Sequence, residues 1–184
     1  MKKTLIAAAL ATTTIFSVSS AFAADGTLNF TGDIKDTTCV VDLGGTTSLS
    51  IPMGTFNKTA FSGGSGTVSN ATKFSIKLKT CPAAYTKATI EFDGTADSNN
   101  DQVLALTAGT VTDPTATGVG IQISDKSGSV LPLKTESASY DLTAGTSTAD
   151  NVNSLDFTAR YIATATAVTS GKANATASFI VKYN

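Results

Sequence analysis

The sequence predicts an all-β protein, an antiparallel sandwich, on three observations. Apolar residues recur at every second position through many short runs, the period of a strand with one buried and one wet face. Turn residues separate those runs, among them Gly44-Gly45, Asp113-Pro114 and Asp125-Lys126-Ser127-Gly128. Thr, Ser, Ala, Val and Gly dominate, and tryptophan is absent. With 41% hydrophobic and only 15% charged residues, the chain is not a disordered polyelectrolyte.

Residues 1–23 read as a secretory signal peptide. Lys2 and Lys3 form the positive end, Leu5 through Val18 the apolar core, and Ala21-Phe22-Ala23 a small-x-small cleavage site. Cleavage after Ala23 leaves roughly 160 residues, about one domain; a non-cleaved anchor is the alternative. No later run reaches the ~18 uninterrupted apolar residues of a membrane span, so the expected product is exported and soluble. Without Lys2 and Lys3, the remaining 11 of 13 basic residues face 14 acidic ones, a net charge of −3. Nucleic acid as a partner calls for basic patches, which are missing.

The first patterned run is Gly26 to Lys35. Leu28, Phe30, Gly32 and Ile34 alternate with Asn29, Thr31, Asp33 and Lys35, the pattern of a strand. A terminal strand stays ordered only where something ties it down. It therefore needs a groove, either in its own domain or in another molecule. Cys39 and Cys81 are the only cysteines, and in an exported chain they are expected to pair. The bond closes a loop of about 43 residues, worth roughly 4 kcal/mol by chain entropy.

Further strands are expected at Cys39–Leu43, Ser48–Met53 (with Pro52 marking an edge or bulge), Thr72–Leu78 and Ala88–Phe92. Others follow at Val103–Leu106, Val119–Ile123, Val130–Leu133 and, weakly patterned, Ser139–Leu142. Ser62–Gly66, Asp93–Asp101 and Ala144–Asn153 read as polar loops. Two long runs close the chain. Leu155–Ala163 alternates throughout, and the run from Gly171 puts Ala173, Ala175, Ala177, Phe179, Val181 and Tyr183 on one face. Interleaved threonines and the strict period of two favour strand over helix in this alanine-rich text.

No catalytic apparatus is visible. Acyl-transfer triads and most acid–base sites use histidine, and the chain has none. Glu91 and Glu136 are the only glutamates. The Asp93–Asp101 loop lacks the spacing and closing glutamate of an EF-hand, and no Gly-Lys-Ser/Thr follows the Ser62–Gly66 glycines. Catalytic residues, metal ligands and cofactors are all expected to be none, with no small-molecule substrate.

Over essentially the whole chain beyond the signal peptide, the sequence resembles the chaperone–usher pilins, specifically type 1-like fimbrial subunits. The likeness rests on Gly-Thr-Leu-x-Phe-x-Gly-x-Ile (26–34) before Cys39 and on Phe74-Ser75-Ile76-x-Leu78-x-x-Cys81. It continues in Val103-Leu104-Ala105-Leu106, Gly118–Ile123 and Phe157-Thr158-Ala159-Arg160-Tyr161, and closes with Gly171-x-Ala173-Asn174-Ala175-x-Ala177-x-Phe179 and the penultimate Tyr183. Ile51-Pro52-Met53-Gly54 departs from the family's Val-x-Leu-Gly.

The resemblance implies an incomplete immunoglobulin-like β-sandwich, completed by a donor strand from a neighbouring subunit. It divides the chain into signal peptide (1–23), donor-strand extension (24–37) and pilin domain (38–184). Leu28, Phe30, Gly32 and Ile34 would be the donor positions. Gly171, Ala173, Ala175, Ala177, Phe179, Val181 and Tyr183 would form the accepting strand, filled first by a periplasmic chaperone and then, at an outer-membrane usher, by the next subunit. The implied function is a structural subunit of a surface fimbria serving adhesion, foremost the shaft pilin; a minor or adaptor subunit is the close alternative. A free-standing lectin-like binding module is the alternative of another class.

Overall fold

In a computed structural model, residues 27–32, 34, 37–145 and 152–184 are described. The expected signal peptide lies outside these residues, as do Asp33, Lys35 and the middle of the expected 144–153 loop. The chain divides into two units, Met1–Ile34 and Lys35–Asn184.

Alternation in the sequence becomes alternation in burial along the second unit. Its described strands are β1 (Val40–Asp42), β2 (Thr72–Lys79), β3 (Lys87–Asp93), β4 (Ala96–Asp97), β5 (Asn100–Leu104), β6 (Val119–Ser124), β7 (Val130–Leu131), β8 (Tyr140–Asp141), β9 (Asn153–Ala163) and β10 (Ser178–Tyr183). The larger sheet runs β1-β2-β9-β6-β5-β4, with β7 added to β6, and the smaller runs β10-β3-β8. Every pairing between these strands is antiparallel.

The two sheets meet through aromatic rings. Phe157 of β9 stacks on Phe74 of β2 within the larger sheet, at 5.6 Å between centroids. Across the sandwich it meets Phe92 of β3 edge-on at 5.1 Å and Tyr140 of β8 at 5.4 Å. Phe157, Ile76, Leu78, Ile90 and Leu155 are almost wholly buried around this contact. Rings in such offset and T-shaped geometry add about 0.5–1.5 kcal/mol per pair beyond their burial.

Two local devices fix the frame. Cys39 and Cys81, both buried, form the expected disulfide at the end of the β1–β2 pair. Asp125, only 3% exposed, closes the β6–β7 turn. Its Oδ1 accepts from the backbone N–H of Ser127 (2.9 Å) and Ser129 (3.0 Å) and from Ser127 Oγ (2.6 Å). Its Oδ2 accepts from Ala138 N at 3.4 Å, just before β8. From β8, Tyr140 Oη accepts from Lys126 N (3.3 Å) and donates to the Asp156 carbonyl of β9 (2.6 Å). One turn thereby ties both sheets together.

Four stretches depart from the sequence expectations. Ser48–Met53 joins no ladder, consistent with Pro52 lacking an N–H to donate. A 3-10 turn, Lys58–Phe61, capped by Asn57, precedes the expected Ser62–Gly66 loop. The expected Asp93–Asp101 loop folds instead as the β4–β5 hairpin, because Asp97 Oδ1 and Asn100 Oδ1 accept from backbone N–H groups two residues on and shape its turn. The run from Gly171 enters a ladder only from Ser178.

Burial raises the pKa of Asp125, but the hydrogen bonds from Ser127, Ser129 and Ala138 outweigh it and hold the carboxyl below its ordinary value. A depressed folded-state pKa contributes stability above the unfolded value of about 3.9, and that contribution is lost as pH falls through the folded value. Asp125→Asn is therefore expected to lower the unfolding midpoint at neutral pH, with the deficit narrowing below about pH 4. Denaturant titrations of both chains at neutral and acid pH check this; an equal deficit at both would contradict it.

Candidate functional site

The C-terminal segment is a strand from Ser178 to Tyr183, preceded by a bridge at Lys172, and its two edges differ. Asn184 and Lys87 exchange both backbone hydrogen bonds, each at 3.0 Å. Antiparallel geometry then aims the backbone groups of Lys182, Ile180 and Ser178 at β3, and those of Tyr183, Val181 and Phe179 the opposite way. The even positions continue this upstream. Lys172 N donates to the Pro114 carbonyl (2.8 Å), the Lys172 carbonyl accepts from Ala116 N (2.9 Å), and the Asn174 carbonyl accepts from Thr107 N (2.7 Å).

On the other edge, among the described residues, no strand pairs with β10. No backbone partner meets Ala173, Ala175 or Ala177 either. The one described contact there is Tyr161 Oη, which donates to the Ala173 carbonyl at 2.8 Å.

The inner face of the same segment is only partly covered. Ala173, Ala175, Ala177, Phe179, Val181 and Tyr183 lie against the core but are half-buried, whereas Gly171 is exposed. The first six thus share one face as the sequence predicts. Tyr183 packs on Tyr85 at 5.0 Å between centroids, and burial raises its phenol pKa. Beside the upstream half lies a cavity of about 620 Å³, lined among others by Phe56, Phe61, Val119, Tyr161, Val168 and Ala173. Phe56 meets Tyr161 edge-on at 5.7 Å. Strand periodicity does not mark Phe56, Phe61 or Tyr161 as site residues, because it carries no information about which loop returns beside which strand.

The outer face is closed by charge. Lys182 Nζ reaches Glu91 Oε2 at 2.7 Å and Glu136 Oε1 at 2.8 Å. Lys182 and then Thr89 hold the Glu136 carboxyl below its ordinary value, and the two glutamates raise the lysine. Among the described residues, the segment therefore offers one finished face, one unfinished face and one row of backbone groups engaged only at the Ala173 carbonyl. That arrangement can accept a strand. Among the described residues no group of three His, Cys, Asp or Glu is placed to hold a metal.

In the first unit, Leu28, Phe30 and Ile34 are 82%, 91% and 103% exposed. Its described residues, Gly32 included, belong to no strand, and nothing lies within 4 Å of where a Gly32 Cβ would be. Three large apolar side chains of one sequence parity thus stand in solvent.

Comparison with known proteins identifies the family and the fold. A family model described as fimbrial protein matches residues 28–184. The chain is 36% identical over 178 residues to the fimbrial subunit type 1 of Salmonella typhimurium, covering 92% of each chain. Among solved structures, the Burkholderia pseudomallei antigen and type I fimbria protein is 38% identical, with a TM-score of 0.54 over 86% of this chain and 97% of that one. A chaperone–usher pilus subunit at 23% identity superposes with a TM-score of 0.61 over 88% and 96%. The fold is thus the immunoglobulin-like sandwich of chaperone–usher pilins. The chain belongs to the fimbrial protein family and is a structural subunit of a surface fimbria, not an enzyme.

Gly171 supplies a check on the upstream end of the segment. A Cβ there would stand 2.4 Å from Ala116 N and 2.6 Å from the Pro114 carbonyl, both backbone atoms that cannot swing aside. Gly171→Ala is expected to push the 114–116 strap off the segment and cost about 1–3 kcal/mol, the usual toll of overpacking. Chemical denaturation measures it; unchanged stability would mean that the strap yields freely.

Proposed function

We propose that this subunit polymerises by donor-strand exchange. One observation carries the reading: among the described residues, the C-terminal strand presents an unpaired edge above a half-covered core, while Leu28, Phe30 and Ile34 stand exposed on one sequence parity. In this reading residues 24–37 of one copy leave domain 38–184 and enter the groove of the next. Leu28, Phe30 and Ile34 point into the core beside Ala173, Ala175, Ala177, Phe179, Val181 and Tyr183, and Gly32 takes a position with room for no side chain. Gly171 marks the upstream end of the groove.

The physical chemistry suits a polymer bond. Each inserted large side chain contributes about 1.5–3 kcal/mol on burial. Each backbone hydrogen bond formed along the edge adds about 0.5–1.5 kcal/mol before ordering costs. Alternation fixes register, because a one-residue slip would turn every apolar side chain to solvent. Dissociation would require opening the core, so the fibre would be kinetically long-lived.

Before assembly the same edge needs cover, since an exposed edge over an apolar floor is prone to aggregate. A periplasmic chaperone would supply it after export directed by residues 1–23. An outer-membrane usher would be the place where the extension of the next subunit replaces the chaperone. The fibre built this way would serve adhesion, with this chain as its major shaft subunit.

The test uses a chain lacking residues 1–37, alongside the chain lacking only residues 1–23, and a synthetic peptide of residues 24–37. The peptide is expected to form a slowly dissociating complex with the truncated domain and to raise its thermal midpoint by tens of degrees. A peptide carrying Phe30→Asp and Ile34→Asp should do neither. A truncated domain that is already stable and ignores the native peptide would remove donor-strand exchange as the function.

A further inference from the structure

Tyr161 reaches from the larger sheet to the C-terminal segment. It belongs to the inward row of β9, with Leu155, Phe157, Ala159 and Ala163, and is 7% exposed. Its backbone is held in place on the sheet. It pairs with Ile121 of β6, its carbonyl accepts from Ser69 N at 2.9 Å, and its N–H donates to Ser69 Oγ at 3.0 Å. The hydroxyl at the far end of the side chain donates to the Ala173 carbonyl at 2.8 Å.

That carbonyl is the exception in its row. The carbonyls on either side, of Lys172 and Asn174, accept from the backbone N–H groups of Ala116 and Thr107. Among the described residues the Ala173 carbonyl meets no backbone N–H, and the Tyr161 hydroxyl stands in for one. Ala173 is half-buried against the core, where an acceptor left empty is costly. Burial raises the phenol pKa of Tyr161, so the hydroxyl keeps its proton and remains a donor well above neutral pH.

The side chain also has room to move. The cavity of about 620 Å³ is lined by both Tyr161 and Ala173, with Phe56 and Phe61 in the same wall. Phe56 meets the Tyr161 ring only edge-on. A ring in a close-packed interior changes rotamer only where vacant volume adjoins it. Here that volume is present, and Thr55, Thr169 and Asn174 are among the polar residues that line it.

We propose that Tyr161 is a placeholder for the donor strand. Its hydroxyl holds the Ala173 carbonyl while the groove is empty. An entering strand brings a backbone N–H to that carbonyl, and the ring gives way into the space beside it. Tyr161 is thus a positioning residue acting through Ala173. It stabilises the empty groove and not the filled one, so it slows entry without loosening the bond that results. The inference rests on donor-strand exchange as proposed above.

The chain beginning at Ala24, with its own extension in place, and its Tyr161→Phe variant test this with an excess of labelled 24–37 peptide. The variant keeps the ring and loses only the hydroxyl. The peptide is expected to associate with the variant several-fold faster and to leave both chains at the same rate. A hydroxyl that merely props the groove would, on removal, leave association unchanged or slower, or speed dissociation. Any of these results overturns the placeholder and leaves strand exchange standing, whereas a peptide that binds neither chain overturns both. The unmodified chain supplies a second readout, independent of how well the variant folds. With 15N-labelled peptide bound to 13C-labelled chain, one peptide amide is expected to show a through-hydrogen-bond coupling to the Ala173 carbonyl carbon. No coupling to that carbon would mean that Tyr161 keeps it, and would overturn the handover.

Discussion

A strand has two edges, and among the described residues the last strand satisfies only one of them. Backbone N–H and C=O groups demand partners wherever water is excluded. Lys172, the Asn174 carbonyl and the even positions from Ser178 to Asn184 find theirs in the 114–116 strap, Thr107 and β3. The odd positions carry the side chains that floor the core, yet their backbone groups face the other way. Inner face and unpaired edge are therefore coupled: whatever hydrogen-bonds this edge also covers Ala173 through Tyr183. Few other constraints bind main-chain and side-chain chemistry so tightly in one element.

Such an edge persists only if the rest of the sandwich resists collapsing onto it. Close-packed interiors transmit strain and rearrange poorly. Phe157, held by Phe74, Phe92 and Tyr140, fixes the spacing of the sheets. The Cys39–Cys81 bond pins the first strand to the second, and the Asp125 turn locks the hairpin of the larger sheet to β8 of the smaller. Lys182, shared between Glu91 and Glu136, steadies the outer side of β10.

The sequence by itself determined which residues turn inward, because strand periodicity depends only on the pleat. Leu155 to Ala163, Phe74 to Leu78 and Ala173 to Tyr183 were legible for that reason, and the two cysteines allowed a single pairing. It also exposed the unsatisfied pattern of Leu28, Phe30, Gly32 and Ile34. Only the tertiary structure decided partners: that β10 ends its sheet, that Phe56 and Tyr161 border the cavity beside it, that the acidic loop closes as a hairpin, and that Ser48–Met53 joins no ladder. Periodicity is a property of one strand, whereas pairing is a competition among all of them. That competition is settled by loop closure, turn chemistry and shape, none of which a residue carries alone.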